Sequence, residues 1–298
     1  MELAWPGARA RYAGAAGVLC FLAALLLFAV FDAGSKYFVT LLPAPFLNAA
    51  RFWAFMMVGV LLIRRRGMPP PGQWNGKFLL VVRGVALASA GTCFMTALLW
   101  MPLGEASAIY FTAPLLVVAL SGPVLGERVG FTQWLAVVTG FLGMLLIVRP
   151  GGQLPLLGTS LMVVAGISYA VYQLATRKLA SQNVPLPVQY ATTGLISLVL
   201  TTVPALFFLP EPWPPARTLL AVFLLCMCNA TGHLLIISAF QRIRAATLAP
   251  LNYLQLVLAV AFSVLFFAAI PDRVTSVGMM LITLSGIAVA MTAVHRHG

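Results

Sequence analysis

Residues 17–38 read GVLCFLAALLLFAVFDAGSKYF, an apolar run broken only near its end by Asp32 and Lys36. Residues 169–173 read YAVYQ, and laid 141 positions back they fall on Phe28-Ala29-Val30-Phe31-Asp32, with Arg177 falling on Lys36. The first stretch is long enough to cross hydrocarbon about 30 Å thick, which takes about twenty helical residues. The second says that the chain contains the unit twice.

Working outward with the same ruler, apolar spans fall at 17–38, 44–63, 78–99, 104–125, 131–149, 156–177, 188–209, 217–239, 246–268 and 274–294. The joints carry the residues that end helices: Arg64-Arg65-Arg66-Gly67, Pro69-Pro70-Pro71-Gly72, Glu127-Arg128, Pro150-Gly151-Gly152, Pro210-Glu211-Pro212 and Pro271-Asp272-Arg273. Each span must be helical, because an open strand edge in lipid leaves backbone donors and acceptors without partners. The expected fold is an all-α membrane protein of ten transmembrane helices, with one repeat over 1–150 and a second over 151–298. Five spans per repeat is an odd number, so the second copy enters the membrane from the opposite face. That is the inverted-repeat plan of secondary transporters, which bind solute between the halves near the midplane.

Composition agrees. The chain has 298 residues, of which 61% are hydrophobic and 8% charged, against roughly 25% charged in a soluble domain. The net charge of +12 does not form a basic stripe with interleaved aromatics, so nucleic acid is not an expected partner. Short cytoplasmic loops collect lysine and arginine. With the N-terminus inside, Arg9, Arg11, Arg64, Arg65, Arg66, Lys77, Arg128, Arg177, Lys178, Arg242, Arg244 and Arg296 gather on the inner face, while Lys36, Arg149, Arg217 and Arg273 lie outside. Both termini are therefore expected in the cytoplasm. Cys20, Cys93, Cys226 and Cys228 lie in apolar spans at spacings that match no zinc or redox site. No nucleophile elbow, phosphate loop or metal cluster is legible, so neither an enzyme nor a cofactor is expected.

Polar groups inside lipid are costly and mark where work is done. Asp32, late in span one, is a candidate ligand for a cationic or zwitterionic solute or a carrier of a proton; the other reading is an i,i+4 pair with Lys36 that reaches the interface. Tyr169, Tyr172 and Gln173 share a face of span six and suit an organic solute with a flat part and a polar end. Asn229 and His233 point together from span eight, and histidine titrates near neutrality, which would couple protons to solute; packing is the competing role. Span four carries Tyr110, Thr112 and Pro114, and span nine opens with Pro250, Asn252, Tyr253 and Gln255, so these two form kinked cavity walls. Arg51 and Arg83 sit within a few residues of span ends and are expected to reach for the interface or a helix-end carbonyl, binding of an anionic group being the alternative. Ala136 with Gly140 and Gly286 with Ala290 place small residues one turn apart on spans five and ten, for close packing inside the bundle or in a homodimer.

The stretch Met101-Pro102-Leu103, Glu105-Ala106-Ser107, Pro114, Leu125-Gly126-Glu127-Arg128 and Gly140 with Gly143 resembles the EamA-type repeat of the drug/metabolite transporter superfamily. Lys36 and Arg51 fit the same repeat. In the second half Leu254 stands where Pro114 would recur, and Pro271-Asp272-Arg273 replaces the Gly-Glu-Arg joint. The resemblance implies a carrier in a bacterial inner membrane, working by alternating access around a central cavity. The nearest branch looks like exporters of opine metallophores such as pseudopaline, with carriers of riboflavin and S-adenosylmethionine. Export of an amino-acid-derived compound is the expected function. Uptake of riboflavin or S-adenosylmethionine, or a scaffold that transports nothing, are the alternatives.

Overall fold

The computed structural model describes residues 6–70, 72, 74–126, 129–148, 154–240 and 249–295. The joints at Glu127-Arg128 and Pro150-Gly151-Gly152, the side chains of Arg149, Arg242, Arg244 and Arg296, and residues 245–247 lie outside the described residues. Among the described residues eleven α-helices follow one another: α1 (Pro6–Phe38), α2 (Ala44–Arg66), α3 (Lys77–Ala97), α4 (Leu103–Tyr110), α5 (Ala113–Leu125), α6 (Phe131–Val148), α7 (Leu156–Ser181), α8 (Leu186–Ala205), α9 (Ala216–Phe240), α10 (Tyr253–Phe267) and α11 (Arg273–His295), with a 3-10 turn at Ala249–Asn252 before α10. Among the described residues eight helical segments are long and apolar enough to cross a membrane, α4 and α5 counting as one, and two further apolar helices, Tyr253–Phe267 and Arg273–Ala288, are shorter.

The helices end where the chain chemistry changes. Gly67 closes α2 at φ 72° and Gly126 closes α5 at φ 73°, left-handed positions that a side chain would strain. Asp272 caps α11, accepting a hydrogen bond from the Thr275 backbone N–H at 2.8 Å. Span four breaks in the middle. Pro114 has no N–H to offer the Tyr110 carbonyl one turn back, so α4 stops at Tyr110 and α5 begins at Ala113; Thr112 caps the break by donating to the Ile109 carbonyl at 2.7 Å. Span nine is broken too, its first turn being the 3-10 segment that holds Pro250.

The two halves pack with a mirrored logic. Helices α2 and α8, and α6 and α11, each meet their own counterpart in the other half, and α4 lies on α10. The remaining main contacts come in exchanged pairs: α3 on α7 with α1 on α9, α3 on α8 with α2 on α9, and α5 on α7 with α1 on α10. In lipid, apolar burial does little to draw helices together, so close backbone approach and polar cross-links must do so. Both are present. At the α6/α11 crossing, a Cβ on Gly143 would stand 2.7 Å from the Gly278 carbonyl oxygen, and of the predicted small residues Gly140 faces Leu115 and Ser285 while Gly286 lies under the Tyr253 ring. Ser197 donates to the Gly84 carbonyl at 2.9 Å and Ser89 meets Ser168 at 3.2 Å, tying α8 and α7 to α3.

Candidate functional site

The helix faces that meet between the halves carry the polar groups. From α1, Asp32 accepts a hydrogen bond from Gln255 Nε2 of α10 at 3.0 Å. From α2, Arg51 Nε donates to Asn229 Oδ1 of α9 at 3.1 Å, and its guanidinium lies 5.2 Å from the Phe31 ring and 5.3 Å from the Phe52 ring. Arg51 fits because α3 has Gly91 opposite: a Cβ there would stand 3.0 Å from Arg51 Nη1. Its charge is within electrostatic reach of Asp32, Tyr110, Tyr169 and His233. An acid and a guanidinium, each oriented by an uncharged amide from the other half, thus lie together in the region between the halves.

A wall of rings closes that space. Tyr110, the last residue of α4, stacks on Tyr169 of α7 with centroids 4.9 Å apart, and Tyr169 stacks on Tyr172 at 5.7 Å. Arg83 of α3 fixes the far end of this row. Its Nη2 donates to the Tyr172 hydroxyl at 3.0 Å, Nε to Thr176 Oγ1 at 2.8 Å, and Nη1 to the Gln189 carbonyl at 2.6 Å and to Thr193 Oγ1. On the other side His233 sets its ring edge-on to Phe28 at 5.0 Å and to Phe55 at 5.3 Å. Helix α7 presents Tyr169 and Tyr172 together because residues three apart share a face. The break after Tyr110 aims that ring inward.

The structure therefore brings Asp32, Tyr110, Tyr169, Tyr172, Asn229 and His233 together. Gln173 and Asn252 are half-buried and take part in none of these contacts. Tyr253 is elsewhere: it is 3% exposed, its ring covers Gly286 of α11, and Phe111 lies 6.2 Å away. The reason is helical geometry, since Gln255 faces Asp32 and a residue two positions earlier is rotated by about 200°.

Three expectations are corrected. Arg51 and Arg83 turn inward and hold groups of the other half, Arg83 at 7% exposure, because a guanidinium among good acceptors is better served there than at the lipid boundary. Lys36 does not hold Asp32; it donates to the Leu98 and Met101 carbonyls at 2.5 and 2.9 Å. Gln255 joins the site although it had been noted only as part of a kinked helix opening, and an amide alone in the apolar run of α10 was the signal for it. A separate groove of about 330 Å³ on the outer flank, lined by Trp53, Met57, Leu206 and Phe223 among others, has no charged group in its walls.

Oriented polar groups from both halves, facing one another between apolar helices, define an integral membrane protein built to receive a small solute. The EamA-like transporter family matches the chain twice, over residues 15–149 and 156–292. The chain belongs to that family, whose members move small metabolites. Among curated relatives, the pseudopaline exporter of Pseudomonas aeruginosa is 28% identical over 93% of this chain and 96% of that one. The S-adenosylmethionine uptake transporter of Rickettsia prowazekii is 23% identical over 89% of each chain, and the riboflavin transporter of Vibrio cholerae is 30% identical over 62% of this chain and 61% of that one. A crystal structure that is 24% identical superposes with a TM-score of 0.68 over 95% of this chain and 99% of its own, a likeness of fold.

Proposed function

We propose that the protein is a secondary-active carrier that exports a zwitterionic, amino-acid-derived metabolite of the opine metallophore kind across a bacterial inner membrane. In this reading the chain crosses ten times as two inverted repeats, both termini are cytoplasmic, and the space between the halves opens to each side in turn. One observation carries it: Asp32 and Arg51, an acid and a guanidinium, come together between the halves, each held by an amide of the other half, at Gln255 and Asn229. A solute bearing an ammonium and a carboxylate satisfies both, where a singly charged solute leaves one of them desolvated and unmatched. The similarity to a pseudopaline exporter along nearly the whole chain supports the same class.

A second reading rests on the tyrosine row. Three stacked rings suit a flat heterocycle, and relatives named for riboflavin and S-adenosylmethionine transport fit it. Liposomes containing the full chain and preloaded with pseudopaline, S-adenosylmethionine or riboflavin separate the two. Counterflow of pseudopaline supports export of the zwitterion class. Exchange of riboflavin alone, which carries no ammonium and carboxylate pair, overturns it.

A further inference from the structure

We propose that Glu105 is a proton-binding site, distinct from the solute space, through which transport is coupled to the proton gradient; this rests on the carrier reading above. Glu105 lies in the first turn of α4 at 8% exposure, and its Oε2 has no hydrogen-bond partner among the described residues. Two further hydroxyls in the same layer, Ser107 of α4 and Ser263 of α10, are each 1% exposed and equally without partners. Helices α4 and α10 touch here, since a Cβ on Gly104 would stand 3.5 Å from the Ser263 Cβ.

Among the described residues, the groups around Glu105 offer it no counter-ion. The ionised residue acting on it is Asp272, another acid, in the turn before α11. Helix α1 contributes Asp32, which is engaged with Gln255, and Lys36, whose ammonium is taken by the carbonyls of Leu98 and Met101. Helix α7 contributes Tyr169 and Tyr172 in the ring row, and the exposed Arg273 begins α11. Helix α6 holds no charged residue, and α10 adds only the phenol of Tyr253. The backbone N–H of Glu105 itself is a donor to the carboxyl, but a carboxylate taken out of water with no cation and with Oε2 unpartnered among the described residues is disfavoured, whereas the same group carrying a proton is tolerated and can donate to a hydroxyl. The acid also occurs in one copy only: Glu105-Ala106-Ser107 aligns with Ala245-Ala246-Thr247.

Coupling follows from the break in span four. Helix α4 has eight residues, with Glu105 near its start and Tyr110, which meets the solute space, at its end, about 7.5 Å of helix rise apart. Loss of the proton forces the carboxylate to find water or a donor. The short helix must then shift against α10, and Tyr110 moves with it. Proton occupancy and the shape of the solute space are thereby linked without the two ligands sharing a residue.

Two measurements test the proposal. In the full chain in lipid nanodiscs at neutral pH, the infrared carbonyl band of a protonated carboxyl is expected in the wild type and in D32N and is expected to vanish in E105Q. A band unchanged in E105Q overturns the assignment, and this arm needs no solute. In liposomes, E105Q is expected to keep counterflow of S-adenosylmethionine, riboflavin or pseudopaline while accumulation driven by an imposed pH gradient drops to the level without a gradient; E105D, which retains an acid, keeps part of the response. Gradient-driven accumulation by E105Q equal to wild type overturns coupling through this residue. A wild type that exchanges solute but ignores the gradient overturns it as well and leaves the carrier reading intact. A wild type that moves none of the three, with the infrared band lost in E105Q, counts against the carrier reading alone.

Discussion

Arg83 ties α3 to α7 and α8 at one end of the tyrosine row, and its removal gives the sharpest test of how the halves are joined. Arg83→Ala deletes four donor contacts, to Tyr172, Thr176, Gln189 and Thr193. It takes the buried cation away and leaves the Gln189 carbonyl and three side-chain oxygens without that donor. Hydrogen bonds to a charged group contribute about 1.5–3 kcal/mol each, but partial rearrangement and the recovered desolvation of the guanidinium keep the sum well below four times that. Breaking a buried charged network of this kind costs about 3–5 kcal/mol. Arg83→Lys keeps the charge but has no planar fork to reach α7 and α8 at once, so about half of that loss is expected on the same scale. Denaturant titration in detergent micelles, followed by tryptophan fluorescence, reads the change. A stability for Arg83→Ala within about 0.5 kcal/mol of wild type, the range of ordinary surface substitutions, would show that these contacts do not join the halves.

Asp32→Asn and Arg51→Gln should each weaken zwitterion binding by about 10- to 100-fold, the equivalent of one charge-assisted contact of about 1.5–3 kcal/mol; isothermal titration in detergent with pseudopaline reads this, and wild-type affinity in both variants refutes the paired-charge reading. Tyr169→Phe should leave binding of a flat solute nearly unchanged and Tyr169→Leu should weaken it, because the stacked ring contributes about 0.5–1.5 kcal/mol; fluorescence quenching of riboflavin checks the order. Gly143→Val should destabilise the fold by about 1–3 kcal/mol, as overpacking does, since the added carbons meet the Gly278 carbonyl; a thermal melt that does not move contradicts the crossing described above.

The spans were legible because bilayer thickness imposes a length that composition reveals, and the row Tyr169, Tyr172 was legible because three-residue spacing fixes a shared face. Depth along a helix can be counted from sequence, but the direction in which a side chain leaves it is set by its neighbours. Arg51 and Arg83 were placed at the right depth and given the wrong direction, since the acceptors that draw them inward, Asn229 in one case and Thr176, Gln189 and Thr193 in the other, lie 89 or more positions later even for the nearest contact made, that of Arg83 with Tyr172. Tyr253 and Gln255 show the same limit within one turn: both looked available, and only packing of the ring on Gly286 decides which of them turns to the solute. The glycines illustrate it again. Gly143 aligns with Gly286 in the repeat, yet the partner it touches is Gly278.

That touching pair has a mechanical meaning. Where α6 meets α11 the two backbones approach until each glycine fills the other's van der Waals shell, leaving no side chain to act as a spacer and no long arm to slide. Ile147 of α6 and Leu281 and Ile282 of α11 interlock around the pair, and in the carrier reading proposed above this crossing is the fulcrum about which the halves would rock.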